Sequence, residues 1–292
     1  MRLVTFEQGG AARLGILRKD EAAVIPLETL LIDYPDMTAL IEHLTDEERE
    51  RMEQAAEAEE GIPMAQLRLL APILHPRHDV LCVGQNYVAH AIESAKFKGI
   101  EYKKAEYPVY FSKRVDCSVA PGGAIKCHGE LTKQLDYEVE LAVIIGKTCS
   151  HVSREEAFSY VFGYSIGNDI SARDIQNRHK QYSFGKGLDG SFPMGPCIVT
   201  KEELPSPPYL KIQSWVNGEL RQDGNTDDFI FDIPELISQL SQGITLEPGD
   251  ILITGTPSGV GMGFHPPKFL KAGDVVTCRI EGIGTLENVV ED

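Results

Sequence analysis

Apolar and polar residues alternate in short runs along most of the chain, and Gly, Pro, Asn and Asp interrupt the runs often. This is the texture of strands joined by tight turns. Residues 3–6, 13–17 and 23–26 read as strands, punctuated by Gly9-Gly10 and Lys19-Asp20. Residues 37–43 and 47–59 read as helices. Thr45 and Glu48 have capping-box spacing, and Asp46, Glu47 and Glu48 suit the positive end of a helix dipole. Pro72 to Pro76 reads as a connector. A small N-terminal α+β domain is therefore expected over 1–72 and a larger domain over 73–292. In the larger part, 80–83, 109–112, 138–145, 162–169, 211–216, 251–254 and 275–280 are the strand candidates. The helix candidates are 87–94, 154–160 (Ser153 as N-cap, Glu156 at the capping-box position) and 233–240.

The segment LDYEVELAVIIG (135–146) is the most informative. Strand side chains alternate between faces, so Asp136, Glu138 and Glu140 share one face and Val139 and Leu141 the other. The run 142–145 is apolar on both faces, which predicts a central, buried strand. Carboxylates entering such a strand repel one another and lose hydration, a conflict that a divalent cation resolves. An alternating Glu-x-Glu strand is also what a solvated face produces. A second segment, GYSIGNDISARDIQ (163–176), turns polar at Asp169. A third carboxylate there would complete a facial set with open positions, although Asp169 is equally a candidate N-cap. Oxygen ligands suit Mg²⁺ or Mn²⁺.

Composition narrows the functional classes. With 42% hydrophobic and 25% charged residues, the 292-residue chain has the makings of a packed core and not of a disordered one. A formal charge of −16 argues against nucleic acid and against an anionic membrane surface. An anionic substrate then needs local positive charge from a metal, Arg or Lys. MRLVTFEQGG lacks the features of a signal peptide, and no apolar run reaches the ~18 residues of a transmembrane helix. Cys82, Cys117, Cys127, Cys149, Cys197 and Cys278 include no Cys-x-x-Cys pair and read as reduced thiols of a cytoplasmic protein.

Seven motifs then follow in order: GQNYVAHAIE (84–93), YPVYFSK (107–113), LDYEVELAVIIG (135–146), GYSIGNDISARDIQ (163–176), FGKGLDG with PMGP (184–196), WVNGELRQDG (215–224) and LEPGDILITGTPSGVG (246–261). By these the chain from about Asp79 to Asp292 resembles the fumarylacetoacetate hydrolase family, in its acylpyruvase and 2-hydroxyhepta-2,4-diene-1,7-dioate isomerase-like branch. The resemblance implies a mainly β fold with α/β elements, a mixed β-sandwich roll, a homodimer, and Mg²⁺ or Mn²⁺ in the cleft. By position it implies Glu138, Glu140 and Asp169 as metal ligands and His90 with Glu93 as a His-x-x-Glu pair. Arg173, Gln176, Lys186 and Thr256 match substrate-contacting positions. Two departures argue against fumarylacetoacetate itself as substrate and for an acylpyruvate. No counterpart of the family's additional upstream aspartate is found, and Lys180 stands where the fumarylacetoacetate hydrolases proper carry tyrosine.

The implied reaction is cleavage of the C3–C4 bond of a 2,4-dioxo acid to pyruvate and a carboxylic acid, through a metal-stabilised enolate. Lys186 would add positive charge, or be a surface lysine of a Gly-rich loop. His90 and Glu93, three apart, share a helix face. Glu93 would orient the imidazole and His90 take a proton from water, although the spacing alone also fits a surface ion pair. Arg173 would hold the substrate carboxylate or the metal's outer shell, or pair with Asp174 or another acid, and Gln176 is a polar partner of similar ambiguity. In TGTPSGVG (254–261), backbone N–H groups and the Thr256 hydroxyl can cradle a carboxylate. The turn matches neither a P-loop nor a dinucleotide fingerprint. The Lys- and Glu-rich stretch 95–107 would suit a lid. His75, His78, His128, His179 and His265 read as surface or structural. Oxaloacetate decarboxylation and isomerisation of an unsaturated 2-oxo diacid from aromatic catabolism use the same metal and enolate. A non-catalytic metal-binding homologue is the reading from a different class.

Overall fold

A computed structural model describes residues 1–58 and 60–292. Eleven strands form one large mixed sheet. Its path runs Ile62–Pro63, Ala23–Pro26, Ala11–Leu17, Arg2–Gln8, Met194–Thr200, Val161–Asn168, Val139–Ile145, Ile251–Ile253, Val80–Gly84 and Val109–Lys113, with Arg68–Leu70 paired to Arg2–Gln8 off the path. The N-terminal strands continue this sheet, because Arg2 and Leu3 lie opposite Val199 and Ile198. A five-stranded sheet (Glu219–Asn225, Lys211–Val216, Val275–Ile280, Gly284–Glu291, Ala124–Lys126) packs against it. The architecture is the mixed, mainly β sandwich expected, with few helices.

The periodicity located most elements. Ala23–Pro26, Met37–His43, Lys211–Val216 and Val275–Ile280 keep the expected bounds. The helix expected over 47–59 is Asp46–Ala58, and Glu59 lies outside the described residues. Its capping box forms: Glu48 N–H donates to Thr45 Oγ1 (3.2 Å) and Thr45 N–H to Glu48 Oε2 (3.0 Å). The helix expected over 154–160 is only a 3₁₀ turn, Ala157–Tyr160. The Ser153–Glu156 pair does form, but the strand Val161–Asn168 starts at once and leaves no room for a second α-turn. Met194–Thr200 was hidden by its Gly-Pro pair, and Arg173–His179 and Tyr182–Lys186 are too short to show a helical period.

Every residue of Val139–Ile145 is buried. Val139, Leu141, Val143 and Ile145 face a core shared with Ile212, Val276, Cys278 and Leu286 of the five-stranded sheet. Ala142 and Ile144 face a second core shared with Leu40, Ile41 and Met52 of the N-terminal helices. Cores on both sides explain the unbroken apolar run. Each of the strand's five buried Val, Leu and Ile side chains is worth about 1.5–3 kcal/mol. All six cysteines are free. No helix among the described residues is long and apolar enough to cross a membrane.

Candidate active site

Strand register builds the carboxylate cluster. Val139 and Glu140 lie opposite Asn168 and Gly167. The ladder gains one more rung, since Asp169 N–H donates to the Glu138 carbonyl (2.8 Å) while Asn168 Oδ1 accepts from Glu138 N–H (3.1 Å). Glu138, Glu140 and Asp169 are thereby gathered so that one oxygen from each lies within 4.8 Å of the others. All three are buried, at 4%, 3% and 0% exposure, which disposes of a solvated acidic face. Asp169 caps no helix; the following helix Arg173–His179 starts from Ala172.

The Gly-rich turn after Ile251–Ile253 does cradle carboxylates, and they are the protein's own. Gly255 N–H donates to Glu140 Oε2 (2.6 Å), Gly259 N–H to Glu93 Oε1 (3.0 Å), and the N–H groups of Gly261 and Met262 to Asp136 (2.6 and 3.1 Å). Gly255 has φ +95°, and a Cβ there would sit 2.8 Å from the Cβ of Asn86. Asn86, buried, ties the turn down by donating to the Thr254 carbonyl (2.8 Å). The Thr256 hydroxyl donates to the Val139 carbonyl (2.8 Å) and accepts from Gln222 Nε2 (2.7 Å), so its hydrogen bonds already serve the scaffold.

Three cationic side chains meet the cluster. Lys186 Nζ lies 2.5 Å from both Glu138 Oε2 and Asp169 Oδ2. Arg173 reaches Glu138 Oε1 (2.6 Å) and Asp136 Oδ2 (2.9 Å), and donates to Gln176 Oε1 (3.3 Å). Asp174 is not its partner, since that carboxylate accepts from Thr132 and Lys133. Sequence reasoning passed over the third cation, Lys113. It is fully buried, donates to the carbonyls of Ile170 (3.1 Å) and Lys186, and stands 3.0 Å from Asp169 Oδ1. The available signal was a lysine closing the strand Val109–Lys113, whose first three residues are Val, Tyr and Phe. Asp136 and Gln222, both fully buried, were likewise given no role.

Two glutamates two residues apart titrate in opposite directions. Burial opposes the charge on Glu138, but Arg173, Lys186 and His90 outweigh it and hold this carboxyl well below its usual range. For Glu140, burial dominates and Asp169 and Glu138 add like-charge repulsion, so its carboxyl is pushed well above that range. Lys186 is held above the usual lysine value, because Asp169 and Glu138 outweigh burial. Burial lowers Lys113.

The helix Val88–Phe97 forms the opposite wall. His90 is buried, with Nδ1 3.2 Å from Glu93 Oε2 and Nε2 3.9 Å from Glu138 Oε1. Glu93 holds the ring through Nδ1, so that Nε2 is turned toward the carboxylates. A Cβ on Gly263 would collide with the Glu93 carboxylate, so that glycine keeps the space the pair occupies. All nine residues expected from sequence thus gather at one cleft, with Asp169 behind Lys186 and Glu93 behind His90. The cavity they wall is small, about 30 Å³. Hollows of 410–430 Å³ elsewhere are lined by none of the nine.

The donor set fits a hard divalent cation. It offers three buried carboxylates. One of them, Glu140, forms no ion pair among the described residues and is left electrostatically unsatisfied by the protein.

Comparison with known proteins gives the family. The profile of the fumarylacetoacetate (FAA) hydrolase C-terminal family matches residues 79–291, and the chain belongs to that family. Among its relatives, oxaloacetate tautomerase YisK of Bacillus subtilis is 51% identical over 227 residues, 78% of this chain and 74% of that protein. The fumarylacetoacetate hydrolase of Exiguobacterium antarcticum superposes with a TM-score of 0.83 at 38% identity, covering 100% of this chain and 99% of the other. Maleylpyruvate hydrolase of Sphingobium sp. SYK-6, solved with manganese(II) and pyruvate, gives a TM-score of 0.78 at 30% identity, with coverage of 100% and 99%.

Proposed function

We propose that this protein interconverts the keto and enol forms of a short 2-oxo acid of the oxaloacetate kind, using Mg²⁺ or Mn²⁺ held by Glu138, Glu140 and Asp169. The observation that carries the proposal is the buried His90, pinned by Glu93 and facing the carboxylate cluster at 3.9 Å. It supplies one positioned acid–base group, which is what proton transfer at C3 requires. A bound divalent ion supplies a Lewis acid that steadies negative charge on the substrate's oxygens. His90 Nε2 takes the C3 proton, and Glu93 stabilises the imidazolium that forms. Lys186 and Arg173 set fixed positive charge beside the oxygens where charge grows. Return of the proton to oxygen gives the enol, and the reverse path gives the ketone. The 51% identity to a protein named oxaloacetate tautomerase supports this reading over its alternatives.

Hydrolysis of an acylpyruvate to pyruvate and a carboxylic acid is the second reading. It is favoured by the same dyad, which is equally able to activate a water, and by structural relatives named as hydrolases. The test follows the ultraviolet absorbance of enol-oxaloacetate, together with pyruvate release from acetylpyruvate, with Mn²⁺ and with EDTA. Chelator-sensitive loss of enol absorbance without pyruvate release supports the tautomerase. Chelator-sensitive pyruvate release from acetylpyruvate, with no effect on the enol, replaces it with the hydrolase.

A further inference from the structure

We infer that Lys98 binds the far carboxylate of the substrate, so that the site selects 2-oxo dicarboxylates over 2-oxo acids with a single charge. The inference rests on the 2-oxo acid site proposed above and names the substrate class of that site. His90, Ser94 and Lys98 recur at four-residue intervals, and all three line the cavity. Lys98 is the C-cap of Val88–Phe97 and keeps helical dihedrals (φ −78°, ψ −7°), so the three share one face. The rise over eight helical residues is about 12 Å. Side chains on a helix lean toward its N-terminus, so the lysine stem is directed back along this stripe toward His90.

Charge separates the two ends of the cleft. Lys186 and Arg173 are both engaged by carboxylates at 2.5–2.9 Å, whereas Lys98 has no ion-pair partner among the described residues. Its ammonium lies 5.7 Å from the centroid of the Tyr182 ring. That ring packs edge-on against Phe111 (5.2 Å), which in turn lies 5.4 Å from the Lys186 ammonium. One aromatic wall therefore runs between an inner cation that is paired and an outer one that is free. The acids lining the cavity, Glu138 and Glu140, are on the strand side, while Tyr182 beside Lys98 and the lining residues Gln85 and Asn177 are not acidic.

The inner cluster has charge for one substrate carboxylate only. Asp136, Glu138, Glu140 and Asp169 are met by Lys113, Arg173, Lys186 and a divalent ion, leaving a single positive charge in excess. A second carboxylate entering a chain of formal charge −16 is repelled unless another cation receives it, and Lys98 is the remaining Lys or Arg of the lining. A methyl ketone such as acetylpyruvate offers this ammonium nothing.

The test compares oxaloacetate with 2-oxobutyrate, a four-carbon 2-oxo acid lacking the far carboxylate. Apparent affinities for the manganese-loaded protein come from ligand-induced shifts in Tm. The wild type is expected to bind oxaloacetate at least ~10-fold tighter, as one added charge-assisted contact warrants. Lys98→Met should erase that preference and leave 2-oxobutyrate within about twofold of wild type, and Lys98→Arg should restore most of it. A preference that survives in Lys98→Met, or that the wild type lacks, overturns the inference. Enol absorbance followed in parallel keeps the two readings apart. A Lys98-dependent preference without proton transfer removes the tautomerase alone, and proton transfer with no role for Lys98 removes this inference alone.

Discussion

The two walls of the cleft are built on different terms. The strand wall carries Glu138 and Glu140 on a strand with core on both sides, flanked by strands whose register sets Asp169 against Glu138. The helix wall carries His90 and Glu93 on Val88–Phe97, which leaves Val88 and Ile92 exposed and runs out into the irregular stretch 98–108. That helix wall is fastened to the turn by the bond from Gly259 N–H to Glu93. Charge that is expensive to bury sits on a strand paired on both sides, and the groups proposed to move the proton and read the substrate sit on a helix that ends in irregular chain. The contrast teaches that a ligand set needs rigid register, whereas an acid–base pair and its specificity contacts need access to solvent and substrate.

The most severe way to break the strand wall is Glu140→Gln. It removes a ligand charge while keeping shape. We expect Mn²⁺ affinity to fall by on the order of 100-fold or more, above the loss typical of groups that only support a ligand, and metal-dependent turnover to vanish. Calorimetric titration reads the first, and unchanged affinity would dismiss Glu140 as a ligand. His90→Ala breaks the helix wall instead. Turnover should drop by about 10²–10⁴-fold while Mn²⁺ affinity stays close to wild type, a split that distinguishes a proton carrier from a ligand.

Lys113→Met tests what steadies the strand wall from beneath. It removes a buried cation from the side of Asp169 and should destabilise the metal-free protein by about 3–5 kcal/mol, with partial recovery on adding Mn²⁺. Denaturant unfolding with and without metal measures both, and a loss below about 1 kcal/mol would show that Lys113 merely fills space.

The mildest effect is of pH. Because Glu140 is held above its ordinary value, the metal-free fold keeps it protonated upward from the usual carboxylate range, and ionising it there works against folding. Its stabilisation is full below the unfolded value of 4.5 and is lost as pH rises through the folded value. Glu138 has the opposite sign, and its contribution is lost only as pH falls below the ordinary range. Metal uptake must then expel a proton from Glu140, so affinity should rise by up to ~10-fold per pH unit until that group ionises by itself. Calorimetry in buffers of different ionisation enthalpy, repeated at rising pH from just above the usual carboxylate range, counts the proton, and a count of zero at every pH would contradict the raised Glu140.

Much of this was legible beforehand. The unbroken apolar run after Glu140 announced a strand with core on both faces, and the alternation before it placed Glu138 and Glu140 on one side. The capping pair Thr45 and Glu48 marked a helix start, and it formed. Lys113 was not legible, because a lysine after an apolar strand is usually solvated, and only the fold reveals Asp169 above it. Nor was the use of the Gly-rich turn, whose N–H groups had no visible partners until Glu93, Glu140 and Asp136 arrived from elsewhere in the chain.

By itself, then, the sequence determined the local features: strand periods, caps, turns and the chemical types of the site's residues. These depend on neighbours within a few positions. Tertiary structure alone decided which charges meet. Glu138 and Glu140 have nearly the same sequence surroundings and opposite titration. Arg173, Lys186 and His90 gather around the first, while the second keeps burial and the like charges of Asp169 and Glu138. Electrostatic energy depends on distance through space and on lost hydration, and neither is a property of chain order.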